Sequence, residues 1–163
     1  CGPAQMSPSL LSNPSRDPDA IRSVAEAERI DAGVLKRRIR SGSVVIMGRR
    51  DRYVGIGKGL RIKVNANLGT SNVRSDPNEE VKKAVVAERC GADTISDLSM
   101  GGDIREVRRL IFAHTSVPIT TVPIYQAAAE HGIEAMTQGD ILGTVRAQAR
   151  EGVRSSGSCG PTA

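Results

Sequence analysis

Two asparagines stand two residues apart in the run Lys63-Val64-Asn65-Ala66-Asn67. Side chains alternate along a strand, so both amides project to one face. An amide offers donors and an acceptor together, which suits a heterocycle or a ribose hydroxyl. The competing use is to satisfy backbone groups at a strand end. A second gathering surrounds one strand and its exit loop: Asp93, Asp97, Ser99, Gly101, Gly102 and Asp103. Paired carboxylates can exchange protons with a substrate, although such residues also serve as caps and turn formers. Gly101-Gly102 would let a ligand approach the backbone closely. Further on, Pro118 and Pro123 bracket Ile119-Thr120-Thr121-Val122, and Tyr125 follows with a phenol able to donate to a ligand oxygen.

Other motifs carry less chemistry. Gly55-Ile56-Gly57-Lys58-Gly59 has the permissive backbone and lysine of a phosphate loop. It lacks the spacing of the Walker loop or the dinucleotide fingerprint, and reads first as a structural turn. Basic residues concentrate between Lys36 and Arg52, with Arg37, Arg38, Arg40, Arg49 and Arg50 between them. That run reads as a solvated helix face and its following loop, with phosphate contact as the alternative. His114 and His131 have no second ligand at metal spacing. The three cysteines, Cys1, Cys90 and Cys159, form neither a metal knuckle nor a disulfide framework. Cys90 reads as a small packing residue just before a helix stop at Gly91. The cysteine usage suggests a reducing, cytoplasmic compartment.

These residues need elements to hold them. The proline-rich residues 1–20 read as a flexible arm, within which Met6 is a candidate start. Residues 21–60 form an N-terminal region. Ile21, Val24 and Ala25 suggest one helix, Val34, Leu35 and Ile39 a second, and Val44-Val45-Ile46-Met47 a strand. From residue 61 to 153, strand, loop and helix recur roughly every 25 to 30 residues, the spacing of βα units with parallel strands. Strands are expected over 61–67 (with Ile62, Val64 and Ala66 on one face), 93–98 and 117–124. Asp76, followed by Pro77 and Glu79, signs one helix start, and Asp103 another. Helices around 126–131 and 138–151 complete the pattern. A doubly wound sheet and a (β/α) barrel both fit, and both hold ligands at the carboxyl ends of the strands.

A further strand is due after Val153, but Arg154-Ser155-Ser156-Gly157-Ser158 offers no β-branched run. Residues 154–163 read as an aberrant tail: a flexible end, a frameshifted end or a cloning scar. Three or four βα units cannot close a barrel, so the chain reads as the front portion of a larger enzyme. With 23 basic and 18 acidic residues among 163, the net charge of +5 is modest and dispersed. Tyr53, Phe112 and Tyr125 are its aromatics, too few for a stacking platform, and no nucleic-acid partner is expected. No apolar run approaches the roughly 20 residues that cross a bilayer, and no secretory signal is visible.

Taken in order, the motifs resemble the phosphomethylpyrimidine synthase family of thiamine biosynthesis. The resemblance runs from about Ala32 to Val153. It rests on Val54-Gly55-Ile56-Gly57-Lys58-Gly59-Leu60-Arg61 and Lys63-Val64-Asn65-Ala66-Asn67-Leu68-Gly69-Thr70-Ser71. Gly91-Ala92-Asp93-Thr94, Asp97-Leu98-Ser99, Gly101-Gly102-Asp103, Val117-Pro118 and Thr121-Val122-Pro123-Ile124-Tyr125-Gln126-Ala127 complete it.

The resemblance implies an α/β fold: an incomplete (β/α)8 TIM-type barrel preceded by a small N-terminal α+β region. It implies a radical S-adenosylmethionine lyase that converts 5-aminoimidazole ribotide to 4-amino-5-hydroxymethyl-2-methylpyrimidine phosphate. A 4Fe–4S cluster, S-adenosylmethionine and a zinc-type metal ion are the implied cofactors, and a homodimer the implied full-length assembly. Asn67 and Tyr125 match family substrate-binding positions, and Ser96 falls where the family usually has methionine. Asn65, Asp97 and Ser99 are supporting candidates, and no residue is assigned to metal. The family's histidines and its Cys-x-x-Cys-x-x-x-x-Cys motif have no counterpart in these residues, so the chain alone is expected to be inactive. Two alternatives stand beside this reading: a paralogous 5-hydroxybenzimidazole synthase, and a non-catalytic ribotide-binding module.

Overall fold

Asp17 sits in extended backbone and accepts from the Asp19 N–H, so α1 (Pro18–Glu28) begins on a capped proline. In the computed structural model, residues 13–156 are described. The candidate start Met6, Cys1, Cys159 and most of the expected arm and tail lie outside them. Residues 13–20, expected within an extended arm, hold a 3-10 turn (Pro14–Arg16) and the first turn of α1. Ser15 Oγ accepts from Ile46 N–H at 3.0 Å.

The chain divides into two units, at Ile62 and Lys63. In the first, α1 and α2 (Ala32–Arg40) pack on an antiparallel hairpin of β1 (Val44–Arg49) and β2 (Arg52–Gly57). Its core gathers Ala20, Ile21, Val24, Leu35, Val44 and Ile46. The sequence pattern predicts one strand here and a glycine turn after it. The glycines instead lie in and just beyond β2, where the backbone passes close to its neighbours. A Cβ on Gly57 would stand 2.2 Å from Ser43 O. Gly59 O accepts from Arg38 Nη1. The run is thus engaged in local packing. The basic stretch is divided too: Lys36, Arg37 and Arg40 are exposed, whereas Arg49 is buried.

The second unit alternates strand and helix. Its elements are β3 (Asn65–Leu68), α3 (Pro77–Arg89), β4 (Thr94–Asp97), α4 (Ile104–His114), β5 (Ile119–Thr121), α5 (Pro123–His131), α6 (Gln138–Glu151) and β6 (Ser155–Ser156). The four strands are parallel, in the order β3-β4-β5-β6. This is a mixed α/β fold; among the described residues the strands form an open sheet. Asp76 caps α3 by accepting from Asn78 and Glu79 N–H, and Asp103 caps α4 by accepting from Glu106 N–H. Thr137 and Asp140 form a reciprocal capping box on α6. One sheet face presents Leu68, Ile95 and Ile119 to Ala84, Val107 and Ile111 of α3 and α4. Each Leu, Ile or Val side chain among these contributes about 1.5–3 kcal/mol by burial.

Three expectations are corrected. β3 begins only at Asn65, and Ile62 and Val64 are exposed, so Leu68 rather than these two anchors the strand. Cys90 caps the end of α3 and is exposed, not packed. Of the stretch 154–163 expected as a tail, Ser155 and Ser156 form β6, because a parallel edge strand pairs through backbone groups, whatever its side chains. Arg154 N–H donates to Ile119 O at 3.1 Å, and Ser155 and Ser156 register with Thr120 and Thr121.

Candidate substrate-facing site

The parallel register aligns polar residues across neighbouring strands. Asn65 pairs with Thr94. One layer nearer the carboxyl ends, Asn67 pairs with Ser96, Ser96 with Thr120, and Thr120 with Ser155. Because side chains alternate, Asn65, Asn67, Thr94, Ser96 and Thr120 share the face opposite the aliphatic core. They are joined. Asn65 Nδ2 donates to Asn67 Oδ1 at 2.7 Å and to Ser96 Oγ at 3.0 Å. Asn65 Oδ1 accepts from Thr94 Oγ1 at 2.8 Å and lies 3.2 Å from Ser96 Oγ. Ser96 Oγ and Thr120 Oγ1 are 2.6 Å apart. Asn65 and Asn67 are exposed, and Ser96 and Thr120 half-buried. The result is an uncharged, hydrogen-bonding surface.

Above this row, the exit loops of β3 and β4 are fastened together. Thr70 Oγ1 donates to Gly101 O at 2.6 Å, Thr70 N–H to Ser99 Oγ at 3.2 Å, and Met100 N–H to Thr70 O at 2.9 Å. A Cβ on Gly101 would fall 2.4 Å from Ser71 C and O, so only glycine permits the approach. Gly69 N–H donates to the buried Glu80 carboxylate at 2.8 Å, tying the first loop to α3. Tyr125 is half-buried on the first turn of α5, just past the carboxyl end of β5, with its N–H donating to Val122 O.

The carboxylates grouped by the sequence do different work. Asp93 is buried, and its Oδ2 accepts from Val64 N–H at 2.8 Å. Asp97 lies on the helix-covered face, turned from Ser96 by strand alternation. Its Oδ1 accepts from Ser99 N–H and Oγ, at 3.1 and 2.6 Å. Its Oδ2 accepts from Arg108 Nε at 3.1 Å. The Arg108 guanidinium, 1% exposed as a residue, also donates to Glu151 Oε2 (2.5 Å) and Gln126 Oε1 (2.6 Å). Gln148 links Gln126 to Thr121. Asn65, Asn67 and Ser96 therefore come together on one face, whereas Asp97 and Ser99 belong to a buried network behind the sheet. Thr94 and Thr120 escaped the sequence reading. Their position in the strand alternation was the available signal, but naming them as partners needs the register.

A family model described as the Radical SAM ThiC family matches residues 12–157. The chain belongs to the radical SAM ThiC family. It is 44% identical over 146 residues to the phosphomethylpyrimidine synthase of Methanopyrus kandleri, covering 83% of this chain and 34% of that protein. The phosphomethylpyrimidine synthase of Thermodesulfovibrio yellowstonii is 43% identical over 143 residues, with coverages of 83% and 34%. The 5-hydroxybenzimidazole synthase of Moorella thermoacetica is 46% identical over 139 residues, with coverages of 80% and 33%. This radical SAM ThiC family chain therefore spans about a third of the length of the curated relatives it matches.

Membership of the radical SAM ThiC family implies S-adenosylmethionine and an iron–sulfur cluster. Among the described residues, no three His, Cys, Asp or Glu side chains converge as metal ligands, and Cys90 stands exposed at the end of α3. This donor set does not fit a cluster, which needs several converging thiolates. No helix among the described residues is long and apolar enough to cross a membrane.

Proposed function

We propose that this chain forms the first βα units of a (β/α)8 barrel and contributes one wall of a substrate site for 5-aminoimidazole ribotide. The parent reaction is the conversion of that ribotide to 4-amino-5-hydroxymethyl-2-methylpyrimidine phosphate, a lyase reaction of thiamine biosynthesis. The observation that carries this reading is the Asn67–Ser96–Thr120 row at the carboxyl side of parallel strands, where such folds bind ligands. Two phosphomethylpyrimidine synthases at 43% and 44% identity support it.

In this reading Asn67 and Ser96 supply neutral hydrogen bonds to the heterocycle or ribose, and Tyr125 closes the wall with its phenol. An uncharged wall suits a step in which the ligand must be held without proton transfer to protein carboxylates. The fastened β3 and β4 exit loops keep this wall rigid, so its amides are positioned before the ligand arrives. Radical chemistry lies outside what these residues supply, and on this reading they alone are catalytically silent. A zinc-type ion, a homodimeric assembly and a cytoplasmic setting belong to the same proposal.

A second reading is favoured by the 46% identical 5-hydroxybenzimidazole synthase and by Ser96, where the resemblance leads one to expect methionine. A hydroxyl there changes what the wall offers a bound ring. Product identity separates the two. The gene product that carries this chain is reconstituted with iron, sulfide, reductant, S-adenosylmethionine and aminoimidazole ribotide, and the products are weighed by mass spectrometry. A pyrimidine phosphate supports the first reading, 5-hydroxybenzimidazole the second, and unchanged ribotide neither.

A further inference from the structure

On the polar face, Asn65 and Asn67 use their amides differently. Asn65 uses its whole amide within the protein. Its Nδ2 donates to Asn67 Oδ1 and Ser96 Oγ, and its Oδ1 accepts from Thr94 Oγ1. Asn67 is different. Its Oδ1 is engaged by Asn65, while its two Nδ2 hydrogens meet no acceptor among the described residues. A free asparagine can rotate its amide and present either end to a ligand. Here the bond from Asn65 selects one orientation, with the donor end outward.

The Ser96 hydroxyl, which accepts from Asn65, is itself fixed by its 2.6 Å contact with Thr120 Oγ1, and Thr120 Oγ1 lies 3.5 Å from Ile95 O. The chain of contacts thus runs across three strands, from Thr120 on β5 through Ser96 on β4 to Asn65 and Asn67 on β3.

We infer that Asn65 and Thr120 are positioning residues that set Asn67 as a hydrogen-bond donor toward an acceptor atom of the ligand. An acceptor of that kind is a ring nitrogen, a hydroxyl oxygen or a phosphate oxygen. Neither residue needs to touch the ligand. The inference rests on the reading of Asn67 as a ribotide contact, and its test is chosen to separate the two claims.

The test measures ribotide binding by calorimetry on the gene product that carries this chain. Asn65→Asp keeps the size of the side chain but removes the donor facing Asn67 Oδ1. The Asn67 amide then turns to donate to the new carboxylate and offers the ligand an acceptor instead. Losing one such hydrogen bond corresponds to about a tenfold weaker Kd. In an Asn67→Ala background the same change should have almost no effect, because the residue it acts through is gone. Thr120→Val should weaken binding less, and Thr120→Ser should restore it. Circular dichroism confirms that each variant is folded.

An equal penalty for Asn65→Asp with and without Asn67 overturns the inference, as does no penalty at all. If the unaltered protein takes up no ribotide, the functional reading fails instead. The orienting claim is then decided in ligand-free protein by the side-chain amide resonances of Asn67. A shift of those resonances in Asn65→Asp supports it, and unmoved resonances overturn it.

Discussion

Replacing Arg108 by methionine tests the buried network behind the sheet. The side chain is of similar length but carries no charge and no donors. Arg108 is 1% exposed and holds Asp97, itself 3% exposed, together with Gln126 and Glu151. Removing one partner of a buried ion pair costs about 3–5 kcal/mol, chiefly because the other charge stays buried and uncompensated. Two features place this case near the lower end. Asp97 Oδ1 keeps the bonds from Ser99 N–H and Oγ, and the Glu151 side chain is 32% exposed, so water can replace its partner. A loss of about 3 kcal/mol is expected, a large share of the roughly 5–15 kcal/mol that stabilises an ordinary domain. Urea unfolding followed by far-ultraviolet circular dichroism reads it as a lower midpoint at constant slope. Adding Asp97→Asn to Arg108→Met should recover part of the loss, since the orphaned charge is then removed. A single-variant loss below about 1 kcal/mol, or a double variant no more stable than Arg108→Met alone, would refute the reasoning.

Three further outcomes follow from local geometry. Gly101→Ala should cost about 1–3 kcal/mol in the same unfolding assay, because its Cβ would stand 2.4 Å from the Ser71 backbone. Asp76→Ala removes the acceptor for Asn78 and Glu79 N–H at the start of α3, and should cost about 1 kcal/mol. Bonds from the Thr137 side chain, then its backbone N–H, hold the Asp140 carboxyl below its usual range, with a smaller contribution from His131. A carboxyl depressed in the folded state stabilises above its unfolded pKa, and that stabilisation is lost as pH falls through the folded value. The melting temperature lost in Thr137→Ala should therefore be largest near neutrality and shrink below about pH 4; a constant loss would contradict the assignment.

The parts of the molecule that follow from local chemistry were legible in the sequence. Asp76 and Asp103 cap their helices because capping depends on residues a turn apart. Alternation alone puts Asn65 and Asn67 on one face. The same alternation turns Asp97 away from Ser96, which separates it from the amide face. What stayed hidden depends on contacts distant in sequence. β2 is rich in glycine because Val24 and Ser43 press against its backbone, which a propensity scale reads as a turn. β6 has no strand-like side chains and exists through its pairing with β5. Thr120 became a partner of Ser96 only once the parallel register was known. Arg108 likewise reads as one more basic residue on an amphipathic helix until Asp97, Gln126 and Glu151 are brought around it.

The central claim is that the face carrying Asn67 and Ser96, with Tyr125 beside the end of β5, receives the ribotide. A crystal structure of the gene product that carries this chain, grown with 5-aminoimidazole ribotide, tests it most directly. The account predicts ligand density against this face, with Asn67 Nδ2 within hydrogen-bond distance of a ligand acceptor and the Tyr125 phenol at its edge. Ribotide bound elsewhere, with Asn67 and Ser96 facing only solvent, would contradict it.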